Sequence, residues 1–174
     1  ATLAVGDRVA GLATTGPAPS TPSTIGAIIE SVSNLHVVVL AAGKGTRMKS
    51  ALAKVLHHVA GVPMIAHVLD TAAALGPSST TVVVGHQADE VRRALADRPG
   101  LSFVVQEPQL GTAHALLTTE PLLGGARGTL VLLSGDVPLL TPGTLSSLVA
   151  RHLAAGAVAT VLTAVVDRPK GYGR

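Results

Sequence analysis

The sequence predicts an α/β fold: a mostly parallel sheet in three layers, with helices on both faces. Three observations predict it. Apolar runs such as "HVVVLAAG", "TTVVVGH" and "TLVLLSGD" alternate four or five times with segments of helical pattern, which is the rhythm of strand–helix–strand units. The runs are continuously apolar, as in strands buried on both faces. Small aliphatic residues carry the core: of 174 residues 47% are hydrophobic, yet Phe103 and Tyr172 are the only aromatics.

The length fits one domain, or one domain with an appendage. Residues Ala1 to Asn34 read as a leader or linker, because "TTGPAPSTPST" is rich in Thr, Ser and Pro. Its flanks, "LAVGDRVAGLA" and "TIGAIIESV", could each form a short strand. The regular pattern starts at His36, with "HVVVLAAG" as a strand ending in a glycine turn. "PMIAHVLDTAAALG" is a helix, with Pro63 at its first position and Gly76 closing it. "TTVVVGH" is the second strand, and "ADEVRRALAD" an exposed helix with Val91 and Leu95 on its inner face. "LSFVVQ" is a strand, "GTAHALLTTE" a short helix, and "TLVLLSGD" a strand ending in an acid. "TPGTLSSLVARHLAAG" is a helix capped by Thr141 and closed by Gly156. "AVATVLTAVV" is expected as a last strand and "DRPKGYGR" as loop.

Ligands of such sheets bind beyond the C-terminal ends of the strands. Three turns follow strands there: Gly43–Arg47, Gln106–Thr112 and Gly135–Leu139. In the first, "LAAGKGTRM", Gly43 and Gly45 lack a Cβ, so they tolerate positive φ and close approach of a ligand. Consecutive N–H groups of such a turn form an anion site, and Arg47 and Lys54 add full positive charges. The two common phosphate loops do not match. A Walker loop and a dinucleotide loop counted from Gly43 both need glycine where Met48 stands.

Composition excludes several classes. With no cysteine there is no disulfide, thiolate nucleophile or thiolate zinc site. The net charge of +3 is scattered, so no nucleic-acid patch is expected. No run is long enough to span a bilayer, so no membrane partner is expected. The seven histidines contain no H-E-x-x-H. His114 lies inside "GTAHA".

In order, "LAAGKGTRM", "KVLH", "GVPM", "GHQAD", "QEPQLGTAHAL", "SGDVPLL" and "GYGR" resemble the sugar nucleotidyltransferases. They resemble most the uridylyltransferase domain that begins the bacterial bifunctional N-acetylglucosamine-1-phosphate uridyltransferase / glucosamine-1-phosphate acetyltransferase family. The resemblance runs from about Leu35 to Arg174. It implies a Rossmann-like, three-layer sheet of the nucleotidyltransferase type. It implies transfer of a uridylyl group from UTP to N-acetylglucosamine 1-phosphate, giving UDP-N-acetylglucosamine, a cell-wall precursor, and pyrophosphate. The implied metal is Mg2+ and the implied compartment the cytoplasm. The alternatives are a nucleotidyltransferase using CTP or GTP, or a nucleotide-binding module without turnover.

The resemblance places residues as follows. Leu40, Ala41, Ala42, Gly43 and Gly45 would bind the triphosphate, and Arg47 and Lys54 would hold phosphates and the leaving pyrophosphate. The family pattern has proline where Ala53 stands, so the rigid φ before Lys54 is missing here. Gln106, Gly111 and Thr112 match the uracil-reading positions, the amide of Gln106 offering a donor and an acceptor. Asp136 would hold Mg2+ together with phosphates and waters, and Gly173 matches a glycine near the sugar. No general base is expected, because the attacking sugar phosphate is already ionised. The family's sugar-binding residues are expected beyond Arg174, so the domain is expected to be incomplete at that end. A homo-oligomer would need that further part, and no hexapeptide repeat points to acetyl transfer in this chain.

Overall fold

A computed structural model describes residues 34–45 and 48–164. The segment to residue 33, the end of the last apolar run and "DRPKGYGR" lie outside the described residues. In chain order the strands are β1 (Leu35–Ala41), β2 (His58–Val59), β3 (Val62–Pro63), β4 (Ser79–Val84), β5 (Leu101–Val105) and β6 (Thr129–Ser134). The helices are α1 (Met64–Ala73), α2 (Ala88–Ala94), α3 (Thr112–Leu117), α4 (Glu120–Leu123) and α5 (Pro142–Ala154), and a 3-10 turn spans Lys54–Leu56.

β1, β4, β5 and β6 form one all-parallel sheet in the order β5-β4-β1-β6. β1 is central, with Val39 opposite Val82 on one side and Leu133 on the other. The chain builds outward through β4 and β5, then crosses back to place β6 on the far side of β1. That change of direction opens a crevice at the C-terminal ends of β1 and β6.

The apolar runs explain both layers. Val37, Val39 and Ala41 of β1 face a thick core with Val82, Val84, Val131 and Leu133. α1, α2 and α5 cover it through Ile65, Val68, Val91, Leu145 and Val149. Each such Val, Leu or Ile stabilises by about 1.5–3 kcal/mol relative to exposure, so this face carries most of the fold's stability. On the opposite face Val38, Ala42 and Val83 meet Ala115, with Leu116 of α3 and Leu123 of α4 beside them. Leu130 and Leu132 of β6 stay exposed on that side.

The helix ends follow the punctuation in the sequence. The Thr144 N–H donates to Thr141 Oγ1 at 3.2 Å, capping α5 ahead of Pro142. Pro63 stands one residue before α1 rather than inside it, and Gly76, at φ 61°, follows its end. Val91 and Leu95 are buried, as their spacing requires. The β2–β3 hairpin was not anticipated. It turns on Ala60 and Gly61, at φ 52° and 81°, the left-handed pair that tight hairpins need.

One expectation is corrected. "AVATVLTAVV" forms no strand over its described residues 157–164. A strand needs a ladder partner, and among the described residues none pairs with it, so Val158 and Val161 stand in solvent.

Candidate active site

Because the four long strands are parallel, the turns after them share one edge of the sheet. There they enclose an open cleft of about 460 Å³. Leu40, Ala41, Ala42, Gly43 and Gly45 line it from the end of β1. Gln106, Gly111 and Thr112 line it from the β5–α3 segment, and Lys54 and Asp136 close it beside β6. The structure therefore brings together all the predicted site residues it describes. Arg47 and Gly173 lie outside the described residues.

The two glycines of the first turn do different things. Gly45 sits at φ 59°, and a Cβ on it would stand 2.8 Å from Lys54 Cβ. The turn thus needs glycine to let the Lys54 stem pass. Gly43 is not left-handed, and nothing lies within 4 Å of where its Cβ would be. Its side faces open space that a ligand can approach. A hydrogen bond of 2.9 Å from the Met48 N–H to the Gly45 carbonyl closes the turn.

Lys54 Nζ donates to Asp136 Oδ2, forming an ion pair 82 positions apart in sequence. Their side chains keep 39% and 30% of their surface exposed, so the pair is half-wet. Ala53, where the family pattern has proline, holds φ −53° and is buried. The backbone before Lys54 therefore has the angle a proline ring would impose. Asp136 reaches the cleft because the β6 end is drawn against β1: the Gly135 N–H donates to the Leu40 carbonyl at 2.9 Å.

The β5 end is built from neutral groups. Gln106 is only 4% exposed. Its backbone N–H donates to the Val84 carbonyl at 2.7 Å, extending the ladder one step. Its Nε2 donates to the Gly111 carbonyl at 2.9 Å and lies 3.2 Å from His114 Nδ1. The amide nitrogen thus has one backbone acceptor, and a ring nitrogen stands within reach of it.

Sequence reasoning missed Gln109, which also lines the cleft. Its Nε2 stands 2.8 Å from where a Cβ on Gly85 would lie, with Ala42 Cβ at 2.9 Å. A glycine ending the "VVVG" run was the available signal, since only glycine leaves room for that contact. Ser134 was missed as well and lines the cleft from the last position of β6.

A hard divalent cation fits this donor set. Asp136 supplies a carboxylate oxygen at the cleft, and a cation ammonium already balances it. Among the described residues no group of three or more His, Cys, Asp or Glu could hold a metal. A cation here must take its other ligands from substrate and water, which is how Mg2+ is usually held.

Glycine turn, basic side chain and carboxylate meet at the switch point of a parallel sheet, an arrangement suited to a phosphate-bearing ligand. The family comparison agrees: residues 37–171 match the MobA-like NTP transferase domain, and the chain belongs to that family. It is similar to the bifunctional protein GlmU of Prochlorococcus marinus, 51% identical over 140 residues, covering 80% of this chain and 31% of that protein. The GlmU of Brevibacillus brevis is 53% identical over 143 residues, with 82% and 31% covered. The chain thus spans about a third of the length of the curated relatives it matches. Among solved structures, a nucleotidyl transferase from Methanothermobacter thermautotroptrophicus superposes with a TM-score of 0.60 at 27% identity, covering 68% of this chain and 57% of that one. The manganese complex of Rv0371C from Mycobacterium tuberculosis superposes with a TM-score of 0.56 at 27% identity, covering 71% and 60%. The family model and the solved neighbours agree on a nucleotidyltransferase-type domain.

Proposed function

We propose that this chain carries the nucleotide-binding part of an enzyme that joins UTP to N-acetylglucosamine 1-phosphate, releasing pyrophosphate. One observation carries the choice of base. Gln106 is buried with its amide nitrogen engaged, and it lines the same cleft as the Lys54–Asp136 pair. A uracil edge presents an N–H at its centre, which a lone amide oxygen can accept. The similarity to GlmU proteins supports a reading of this kind.

In the proposed reaction an oxygen of the sugar phosphate attacks the α-phosphorus. The bond from that phosphorus to the bridging oxygen of the β-phosphate breaks, and the electron pair leaves on pyrophosphate. No proton needs to move. Alignment and charge neutralisation therefore carry the catalysis. The glycine turn would seat the phosphates, and Lys54 and Arg47 would neutralise the charge that moves to pyrophosphate. Asp136 would hold Mg2+, whose role when bound is to offset phosphate charge. The manganese complex of a structural neighbour supports a divalent cation of this kind. Gly173 is proposed to approach the sugar. With these substrates, the cytoplasm is the proposed compartment.

The test is binding of UTP, CTP and GTP by the chain at fixed Mg2+, followed by a pyrophosphate-release assay. UTP should bind most tightly. Tighter CTP or GTP binding would reassign the base, and UTP binding without pyrophosphate release would mark a binding module.

A further inference from the structure

The chemistry of two fixed acceptors sets the orientation of the Gln106 amide. Gly111 offers a backbone carbonyl, which can only accept, 2.9 Å from the amide nitrogen. The half of the amide facing it must therefore be the NH2 group. The second amide proton faces His114 Nδ1 at 3.2 Å. That nitrogen can accept only if it is bare, which puts the imidazole proton on Nε2. Reversing the amide would press Oε1 against two acceptors at once. Among the described residues nothing donates to Oε1, and Gln106, 4% exposed, lines the cleft. What remains for a ligand is a single acceptor held in one orientation.

We propose that His114 is a positioning residue for base selection: through its bare Nδ1 it locks the Gln106 amide so that the cleft takes a base edge that donates and rejects one that accepts. Uracil donates from its ring N3–H, whereas cytosine presents an unprotonated ring nitrogen at the same place. With His114 in place a reversed amide meets two repulsive contacts. Without it only Gly111 resists the reversal, and the amide can turn its NH2 toward cytosine. This rests on the assignment of Gln106 to the base.

The experiment measures dissociation constants of UTP and CTP at fixed Mg2+ for the whole chain and three variants. In His114→Leu the preference for UTP over CTP should fall by about fivefold, the equivalent of one neutral hydrogen bond. In His114→Asn the side-chain oxygen can stand where Nδ1 stood and accept, so the preference should stay within about twofold of the parent. Melting temperatures of the two variants separate lost packing from lost selection. An unchanged preference in His114→Leu, or an equal loss in both variants, overturns the proposal. Gln106→Ala is the control for the underlying assignment. If it leaves the preference intact, Gln106 does not meet the base and the role of His114 falls with it. A measurement on the parent needs no variant: long-range proton–nitrogen correlations of the His114 ring should show Nδ1 unprotonated, and a proton there overturns the proposal.

Discussion

At the β6 end of the cleft the polar groups are charged and wet. Lys54 and Asp136 face each other half-exposed, and each is the other's counter-ion. At the β5 end the polar lining is neutral, and Gln106 is buried with its amide nitrogen donating to the Gly111 carbonyl beside His114. Charges near solvent attract any phosphate chain but are screened by salt and carry little geometric information. A buried amide with one atom left over attracts weakly, yet an ill-matched base edge leaves an unpaired group there at about 1–3 kcal/mol. One end is suited to affinity and the other to choice.

The largest expected effect would break the charged end. Lys54→Met should weaken UTP and CTP alike, on the order of thirtyfold or ~2 kcal/mol, because a charged partner is lost and Asp136 is left facing phosphate. The ratio of the two affinities should stay within about twofold. Calorimetry with both nucleotides checks this, and a changed ratio would show that the two ends are not separable. Next, Asp136→Asn keeps the shape and removes the charge, so more Mg2+ should be needed for half-maximal UTP binding, by roughly tenfold. An identical Mg2+ titration in variant and parent would reduce Asp136 to a partner of Lys54 alone.

Two smaller tests sharpen the comparison by changing neither end's chemistry. Ala53→Pro should stabilise the fold by about 0.4–1 kcal/mol through the unfolded chain, since Ala53 already holds φ −53°. A drop in melting temperature would mean the loop before Lys54 is not as rigid as that angle implies. Deleting residues 1–33 should leave UTP affinity within about twofold, roughly 0.4 kcal/mol. The cut spares Asn34, whose carbonyl accepts the Thr129 N–H at 3.1 Å. A tenfold loss would place the leader on the site.

The strands were legible because all read as apolar runs, although only β1 and β4 are largely buried while β6 keeps Leu130 and Leu132 exposed, and their last residues mark the ligand edge. That is why Gly45, Gln106 and Asp136 could be placed together from sequence. The run at residues 157–164 is equally apolar but is unpaired over its described residues, and composition cannot report a missing ladder partner. Gln109 was missed because its place depends on how the segment after β5 folds back over Gly85. The Gln106 contacts were hidden for the same reason: the sequence names an amide, and only the folded loop brings the Gly111 carbonyl and His114 to its nitrogen.

The Lys54–Asp136 pair bears on the order in which ions arrive. A tethered ammonium competes with dissolved cations for the same carboxylate at an effective concentration on the order of millimolar. On the proposed assignment a free divalent cation must displace that ammonium unaided. A cation arriving on a triphosphate brings the negative charge that draws the ammonium away. The empty protein is then a poor chelator and the nucleotide-loaded one a good chelator, an ion exchange in which Lys54 is the outgoing ion.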